Sequence, residues 1–464
     1  MTVATLAPAM LASLVVVLLV GFPVAFSLAA VAGVFGGVAV IVGAFPPVFL
    51  TAMSFRILGM FNNDNLLAIP LLVLMGLILE RTGIAEDMLL ALSRLFRRLP
   101  GGLAYAVVIV GTVLSPIVGF VSASVIALGL ISLPVMIRAG YDSRLSTGVI
   151  AASGTLAQVV PPSLVLIVLA EQLEVSLVDI YRGALLPSGI LVALYLAFIF
   201  VLTSWKPELA PPTLDSGWSD AADWRVRAKM VVDGAVPIGL VLCVLASIAF
   251  GVATPSEGGA IGVSAALLLA LAKKRLAFDR LKQATMAAGM LCSGVIFLLI
   301  GASFFTLVFR GLNGQLMIEA LFQYIPAGPI GFVVAVNAAV FGLAFFLDFF
   351  EIAFIVLPLI APIAHKVGVD VVWLAVLLAI NLQTSFMHPP FGIALYNLRS
   401  VTPTSIRTEQ IYWGAVPFVL IQLLMVAIVM LVPAVVLKNA PLPSTGREIR
   451  IELPDLAPLA PELR

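Results

Sequence analysis

Two short stretches of this 464-residue chain place oxygen-bearing side chains just ahead of paired prolines. Ser153, Gly154 and Thr155 precede Pro161 and Pro162; Asn381, Gln383, Thr384 and Ser385 precede Pro389 and Pro390. Hydroxyl, amide and carbonyl oxygens are hard ligands that suit Na⁺. Proline withholds an amide proton and breaks the helical hydrogen-bond ladder. A helix that restarts after such a break offers unpaired amides, partly positive, to a carboxylate. The pattern therefore has two readings: a pair of helix breaks that bind an ion and an anion, or a pair of kinks packed against neighbours.

Other candidate groups are few. Asp348 and Glu351 stand at i and i+3, a spacing that shares one helix face. An acid inside a membrane segment is costly and usually functional; Asp348 is read that way and Glu351 as structural. Glu257 follows Pro255 and Ser256, a helix start where a carboxylate caps open amides. His388, beside Pro389, reads as a packed residue rather than a proton relay. His365 and His388 are the only histidines, and Cys243 and Cys292 the only cysteines. They make neither a transition-metal site nor a disulfide framework. No nucleophile–base pair or glycine-rich phosphate loop occurs, so the chain does not read as an enzyme. Its 25 basic and 24 acidic residues nearly cancel, which speaks against a nucleic-acid binder.

The elements that position these residues must lie in a lipid bilayer. Hydrophobic residues make up 62% of the chain and charged residues 11%, against ~45–50% and ~25% in soluble domains. The apolar stretch at residues 6–20 has no basic residue before it and reads as a first span rather than a cleaved signal. Residues 24–50 read as the next apolar run. The run 103–137 is too long for one crossing of a bilayer core, which is about 30 Å thick. Pro116 and Gly119 stand near its middle, and arginines flank both ends, which the positive-inside rule puts on one side. This reads as a re-entrant helical hairpin, and residues 330–364 repeat the shape. Counting crossings on that basis leaves both termini outside, with 17 of the 25 basic residues inside. Residues 84–99 read as an amphipathic helix on the inner surface, with a counterpart at 315–324 on the outer one. Asn62 to Asn65 read as a solvated cap at the outer end of a span.

One register relates the two halves. Pro134, Gly140, Asp142, Pro161 and Pro162 match Pro362, Gly368, Asp370, Pro389 and Pro390, each offset by 228. The crossing count sets the copies in opposite orientations, giving an inverted repeat as in many secondary transporters. The expected fold is an all-α polytopic membrane protein with two re-entrant hairpins and two discontinuous helices. Its parts are scaffold helices with a first arm (1–102), a first hairpin and broken helix (103–204), a loop, further scaffold and second arm (205–327), a second hairpin and broken helix (328–437), and a polar tail (438–464).

The run from Gly140 to Ser163 resembles the large membrane subunit of the tripartite ATP-independent periplasmic (TRAP) transporters. So do Gly251 to Glu257, Phe346-Leu347-Asp348 and the stretch from Asn381 to Pro390. The wording around Asp348 and Asn381 looks like the branch labelled mannitol/chloroaromatic. The resemblance implies an elevator-type transporter of the bacterial inner membrane, in which hairpins and broken helices slide against a scaffold. It implies a small four-helix membrane subunit, a periplasmic substrate-binding protein, an organic-anion substrate bearing a carboxylate, and Na⁺ as coupling ion with no other cofactor. Carried over by position, one sodium site would use Gly119, Ser122, Ser153 and Thr155. A second would use Asp348, Asn381, Thr384 and Ser385. The substrate would lie near Ser124, Gly154 and Gln383. The chain departs from the family pattern at Val118 and Phe120, where serines are common, at Ser124, where an acid is common, and at Phe349-Phe350, where Pro-Thr is usual. A stand-alone ion-coupled anion carrier of the same superfamily is the alternative.

Overall fold

The structure, a computed structural model, describes residues 3–118, 121–212, 224–323, 328–345, 347, 349–389 and 392–438. Among them there is no strand. The chain begins with α1 (Val3–Leu19), α2 (Val24–Ile41), α3 (Val48–Phe61) and α4 (Asp64–Arg81), followed by the short α5 (Ile84–Leu95). The first hairpin is α6 (Gly102–Val118) and α7 (Val121–Arg138). The first broken helix is α8 (Ser143–Thr155) and α9 (Leu164–Gln172), and α10 (Leu177–Trp205) follows. The second half has α11 (Trp224–Ala249), α12 (Pro255–Ala272), α13 (Phe278–Gly311) and the short α14 (Gly314–Gln323). Its hairpin is α15 (Gly328–Leu343) with α16 (Phe349–Ile355) and α17 (Leu357–Val367). Its broken helix is α18 (Val371–Ser385) and α19 (Ile393–Val401), and α20 (Thr408–Leu431) follows. Seven of the described helices are long and apolar enough to cross a membrane, or nine with two bent pairs included.

The repeat seen in the sequence has a local cause at each matched position. Gly140 and Gly368 adopt left-handed backbone with φ of 79° and 76°, where a side chain would be strained. Each ends a hairpin. Asp142 and Asp370 then cap the next helix. Asp142 accepts from the amides of Arg144 (2.9 Å) and Leu145 (3.1 Å), and Asp370 from that of Trp373 (2.8 Å). The same instruction, stop and restart, is thus written twice. Thr254 and Glu257 form a reciprocal cap at the start of α12, as its sequence indicates.

Two elements differ from the sequence reading. The apolar run 24–50 is not one span. It stops at Ile41, turns at Gly43 (φ 75°) and restarts after Pro46-Pro47 as α3, which has no fully buried residue and meets α4 at 52°. The run is unbroken in polarity but not in backbone chemistry, because prolines supply no helical amide. The return helix of the second hairpin is bent by 54° between α16 and α17. Pro358 removes an amide there, and its ring crowds the carbonyl of Phe354 four residues back.

Helices α8 and α18 form the centre. Every residue from Leu145 to Thr155 is buried, as is every residue from Leu374 to Ser385. Around α8 pack α6, α7 and α20; around α18 pack α10, α15 and α20. Between helices in lipid there is little hydrophobic drive, so close packing of small residues holds them together. A Cβ on Gly148 would collide with the Gly414 carbonyl, and one on Gly414 with that of Arg144, so α8 and α20 touch backbone to backbone. The amphipathic α5 buries Ile84, Met88, Leu89 and Leu92 and packs on α6 and α11.

Candidate functional site

At the first break, α8 ends at Thr155 and one tight turn, Leu156–Gln158, precedes the prolines. The carbonyls released by the break are taken up locally. Ser163 Oγ lies 2.6 Å from the Ala157 oxygen and 2.9 Å from the Gln158 oxygen, and it accepts from the Val165 amide at 3.1 Å. At the second break the backbone recloses on itself. Gly392 N donates to His388 O (2.7 Å) and Ala394 N to Phe386 O (3.0 Å). Only glycine fits at 392, where a Cβ would meet the Phe386 oxygen at 2.6 Å.

Between the breaks lies a buried polar bridge. Gln383 donates from Nε2 to Thr155 Oγ1 at 3.2 Å, and Thr155 donates to the Ala152 carbonyl at 2.8 Å. Gln422 of α20 points its amide nitrogen at Tyr195 of α10 (2.8 Å), with Thr155 at 3.4 Å and the Met387 sulfur at 3.4 Å. Thr155, Tyr195, Gln383 and Gln422 are wholly buried. Among the described residues, Gln383 Oε1, Gln422 Oε1 and both ends of the Gln158 amide have no hydrogen-bond partner. Such orphaned polar atoms at full burial are costly, and they make this centre a place where a polar or charged ligand gains contacts.

The sequence-derived residues fall into three groups. Ser153, Gly154, Thr155 and Gln383 come together, with hairpin helix α7 against them: a Cβ on Gly154 would collide with Val125 Cγ2. Gly154 is therefore the close-approach point of α7 on α8. Ser122 is half-buried and Ser124 buried in the first turns of α7. Asn381, Thr384 and Ser385 form the second group. Asn381 Nδ2 donates to the Asn337 carbonyl (2.9 Å), with Asn337 Oδ1 at 3.1 Å. Thr384 and Ser385 donate to the carbonyls of Asn381 and Leu382 in their own helix, which leaves their lone pairs available as acceptors. The third group, Gly119, Asp348 and Pro390, lies outside the described residues, as do Phe346 and the tail beyond Lys438. Pro161, Pro162 and Pro389 stand inside the breaks.

His388 is packed, as its position suggests. Its ring stacks on Phe345 (centroids 4.5 Å, 14°) and meets Phe341 edge-on at 4.5 Å. Glu351 lines a cavity of about 260 Å³ between α2, α13 and α16. Asn63 is more than a solvated cap: besides capping α4 it donates to Glu171 Oε2 at the end of α9 (2.6 Å). Four residues escaped the sequence reading: Gln158, Tyr195, Asn337 and Gln422. Each carries a polar group within an otherwise apolar run, and inside a membrane segment that alone is a signal of function. No group of three His, Cys, Asp or Glu side chains suited to a metal occurs among the described residues.

The sequence matches the family described as "Tripartite ATP-independent periplasmic transporter, DctM component" over residues 11–435. The chain belongs to this family. It is 25% identical over 392 residues to the C4-dicarboxylate TRAP transporter large permease protein DctM of Pseudomonas aeruginosa, covering 84% of this chain and 90% of that one. It is 23% identical over 413 residues to the ectoine/5-hydroxyectoine TRAP transporter large permease protein UehC of Ruegeria pomeroyi, covering 89% and 93%. Its fold is similar to that of the YdaH transporter of Alcanivorax borkumensis, with a TM-score of 0.62 over 84% of this chain and 90% of that one, at 15% identity. As a TRAP large permease, the chain is a membrane transport subunit and not an enzyme.

Proposed function

We propose that this TRAP permease is the sodium-coupled subunit that carries a small organic anion, a carboxylate, inward across the bacterial inner membrane. The observation that carries the reading is the hydrogen bond from Gln383 to Thr155, two positions 228 apart and hence counterparts in the repeat. A symmetry that exchanges two halves brings a position against its own counterpart only beside its axis. Both helix breaks therefore converge where inverted-repeat transporters hold substrate and ions. Tyr195 and Gln422, 227 apart, meet there as well.

In this mechanism α6–α10 and α15–α20 slide as an elevator against α1–α4 and α11–α13, with α5 and α14 as arms. One sodium ion is held by Gly119, Ser122, Ser153 and Thr155, the other by Asp348, Asn381, Thr384 and Ser385. The restarted helices α9 and α19 set the positive ends of their dipoles toward the anion, beside Ser124, Gly154 and Oε1 of Gln383. Both termini face the periplasm. A small four-helix membrane subunit and a soluble binding protein complete the system, in keeping with the tripartite family and with the relative named for C4-dicarboxylates.

The test is uptake into proteoliposomes. Accumulation is expected only when a Na⁺ gradient, the small subunit and the binding protein are all supplied. Uptake by this chain alone would overturn the dependence on partners, and equal uptake with K⁺ in place of Na⁺ would overturn the coupling.

A further inference from the structure

A second cavity of the chain lies away from the helix breaks. It is a groove of about 480 Å³ walled by the turn after α5 (Phe96, Leu99), by α6 (Tyr105, Ile109) and by α10 (Phe200, Thr203). Its lining is almost wholly apolar, and it is open: Phe200 is 63% exposed and Leu99 49%. An α-helix about 10 Å across fills roughly 800 Å³ for every 10 Å of its length, more than the groove holds. A flexible hydrocarbon chain is the better match.

The rim of the groove is charged. Arg98, next to Leu99, is exposed, and so is Lys206, which follows the 80%-exposed Trp205 at the end of α10. The two rims form one edge, because Gly101 N donates to Ala210 O at 3.0 Å and a Cβ on Gly101 would stand 2.8 Å from Thr203 Cγ2. Among the described residues of this edge, Glu208 sets one negative charge against Arg98 and Lys206. Trp beside Lys or Arg at the end of an apolar helix marks the level of lipid headgroups. An apolar slot with a basic mouth at that level complements a molecule with a hydrocarbon tail and an anionic head.

We infer that this groove is a binding site for one anionic phospholipid, its acyl chain along Phe96, Tyr105 and Phe200 and its phosphate at Arg98 and Lys206. The site fills the seam between α6 and α10, next to the turn after α5, with Leu196 and Ala197 on its α10 wall. Lipid binding itself does not depend on the transport mechanism proposed above.

The experiment uses the full chain, purified and stripped of lipid, with native mass spectrometry in the presence of phosphatidylglycerol or of phosphatidylcholine with the same acyl chains. One phosphatidylglycerol is expected to be retained in preference to phosphatidylcholine. Arg98→Ala and Lys206→Ala, both at exposed positions, should each weaken its binding about fivefold. Ala197→Trp, which fills the groove and leaves both charges in place, should abolish it. Equal retention of the two lipids, insensitive to the charge substitutions, would mean ordinary boundary lipid and would overturn the site. Undiminished retention in the Ala197→Trp chain would overturn its location.

Discussion

In the first repeat the hairpin meets its broken helix through glycine; in the second it does so through amides. Gly111 and Gly154 let α6 and α7 press onto α8: a Cβ on Gly111 would stand 2.5 Å from Ser153 Cβ, and one on Gly154 would collide with Val125 Cγ2. At the corresponding level of the second repeat, Asn337 and Asn381 face each other across a hydrogen bond. The breaks differ likewise. The Ser163 hydroxyl lies against two freed carbonyls in the first, whereas backbone bonds from Gly392 to His388 and from Ala394 to Phe386 close the second. The short helices α5 and α14, the proposed arms, differ too. Helix α5 is tied to α11 and the end of α12 by Asp87 and Asp233 around Lys273 and by Asp87 to Arg275, while α14 reaches the second hairpin through Glu319 and Lys366. One frame has thus been finished in two ways. The first half is sealed by contact distance, and the second is joined by hydrogen-bonded amides.

The largest effect should come from violating contact distance. Gly154→Val adds a side chain where two backbone atoms of Val125 already lie 3.0 and 3.1 Å from the Cβ position, with its Cγ2 closer still. Overpacking of this kind costs ~1–3 kcal/mol and occasionally more. Thermal unfolding in detergent should show a large loss of stability, with little folded protein recovered. Leu382→Val, at the counterpart position of the second repeat, should be far milder. Equal losses at both positions would dissolve the distinction between the halves.

Much of the frame is legible in the chain. The 228-residue offset locates both breaks, both left-handed glycines and both aspartate caps, because stops and caps are local chemistry. Thr155 and Gln383 both stand out in the sequence, although their meeting is visible only in three dimensions. The rest is hidden for a physical reason. Helices in lipid are apolar all round, so no periodic face tells which side of α6 or α20 packs inward. Gly111 and Gln422 look alike in that respect: each matters for what it touches, and the sequence does not name the partner. Pro358 signals the bend between α16 and α17, but the unbroken apolar run around it masks that signal.

The second effect separates stability from ion coupling. A double-mutant cycle on Asn337→Ala and Asn381→Ala should give a coupling of ~0.6 kcal/mol, at most ~1.7 kcal/mol, as for side-chain hydrogen bonds between membrane helices. The cycle on Thr155→Val and Gln383→Leu should fall in the same range. Their functional outcomes should part. Asn381→Ala is expected to raise the Na⁺ concentration needed for half-maximal uptake, since an oxygen proposed to hold the ion is lost. Gln383→Leu should lower maximal uptake more than it alters the Na⁺ requirement. A Na⁺ requirement unchanged by Asn381→Ala would remove the second repeat's polar joint from the ion pathway.

The smallest effect concerns the arms. The Lys366–Glu319 pair is exposed on the lysine side, and solvent-exposed pairs contribute little to global stability. Lys366→Ala should therefore leave the unfolding transition nearly unchanged while freeing α14 locally. Hydrogen bonds from Lys366 and Gln315 hold the Glu319 carboxyl below the usual glutamate range. A carboxyl held low in the folded state contributes its stabilisation above the ordinary glutamate pKa and loses it as the pH falls through the lowered value. Hydrogen exchange along α14, corrected for its intrinsic pH dependence, should accordingly be slow at neutral pH and quicken on acidification, and Lys366→Ala should abolish most of that pH step. Helix α5 offers the contrast. Asp87 has two cationic partners, so Asp87→Asn removes the carboxylate beside Arg275 and one of the two beside Lys273, which keeps Asp233, and it should loosen its arm more than Lys366→Ala loosens α14. The reverse order would show that the second arm, not the first, is the fixed one.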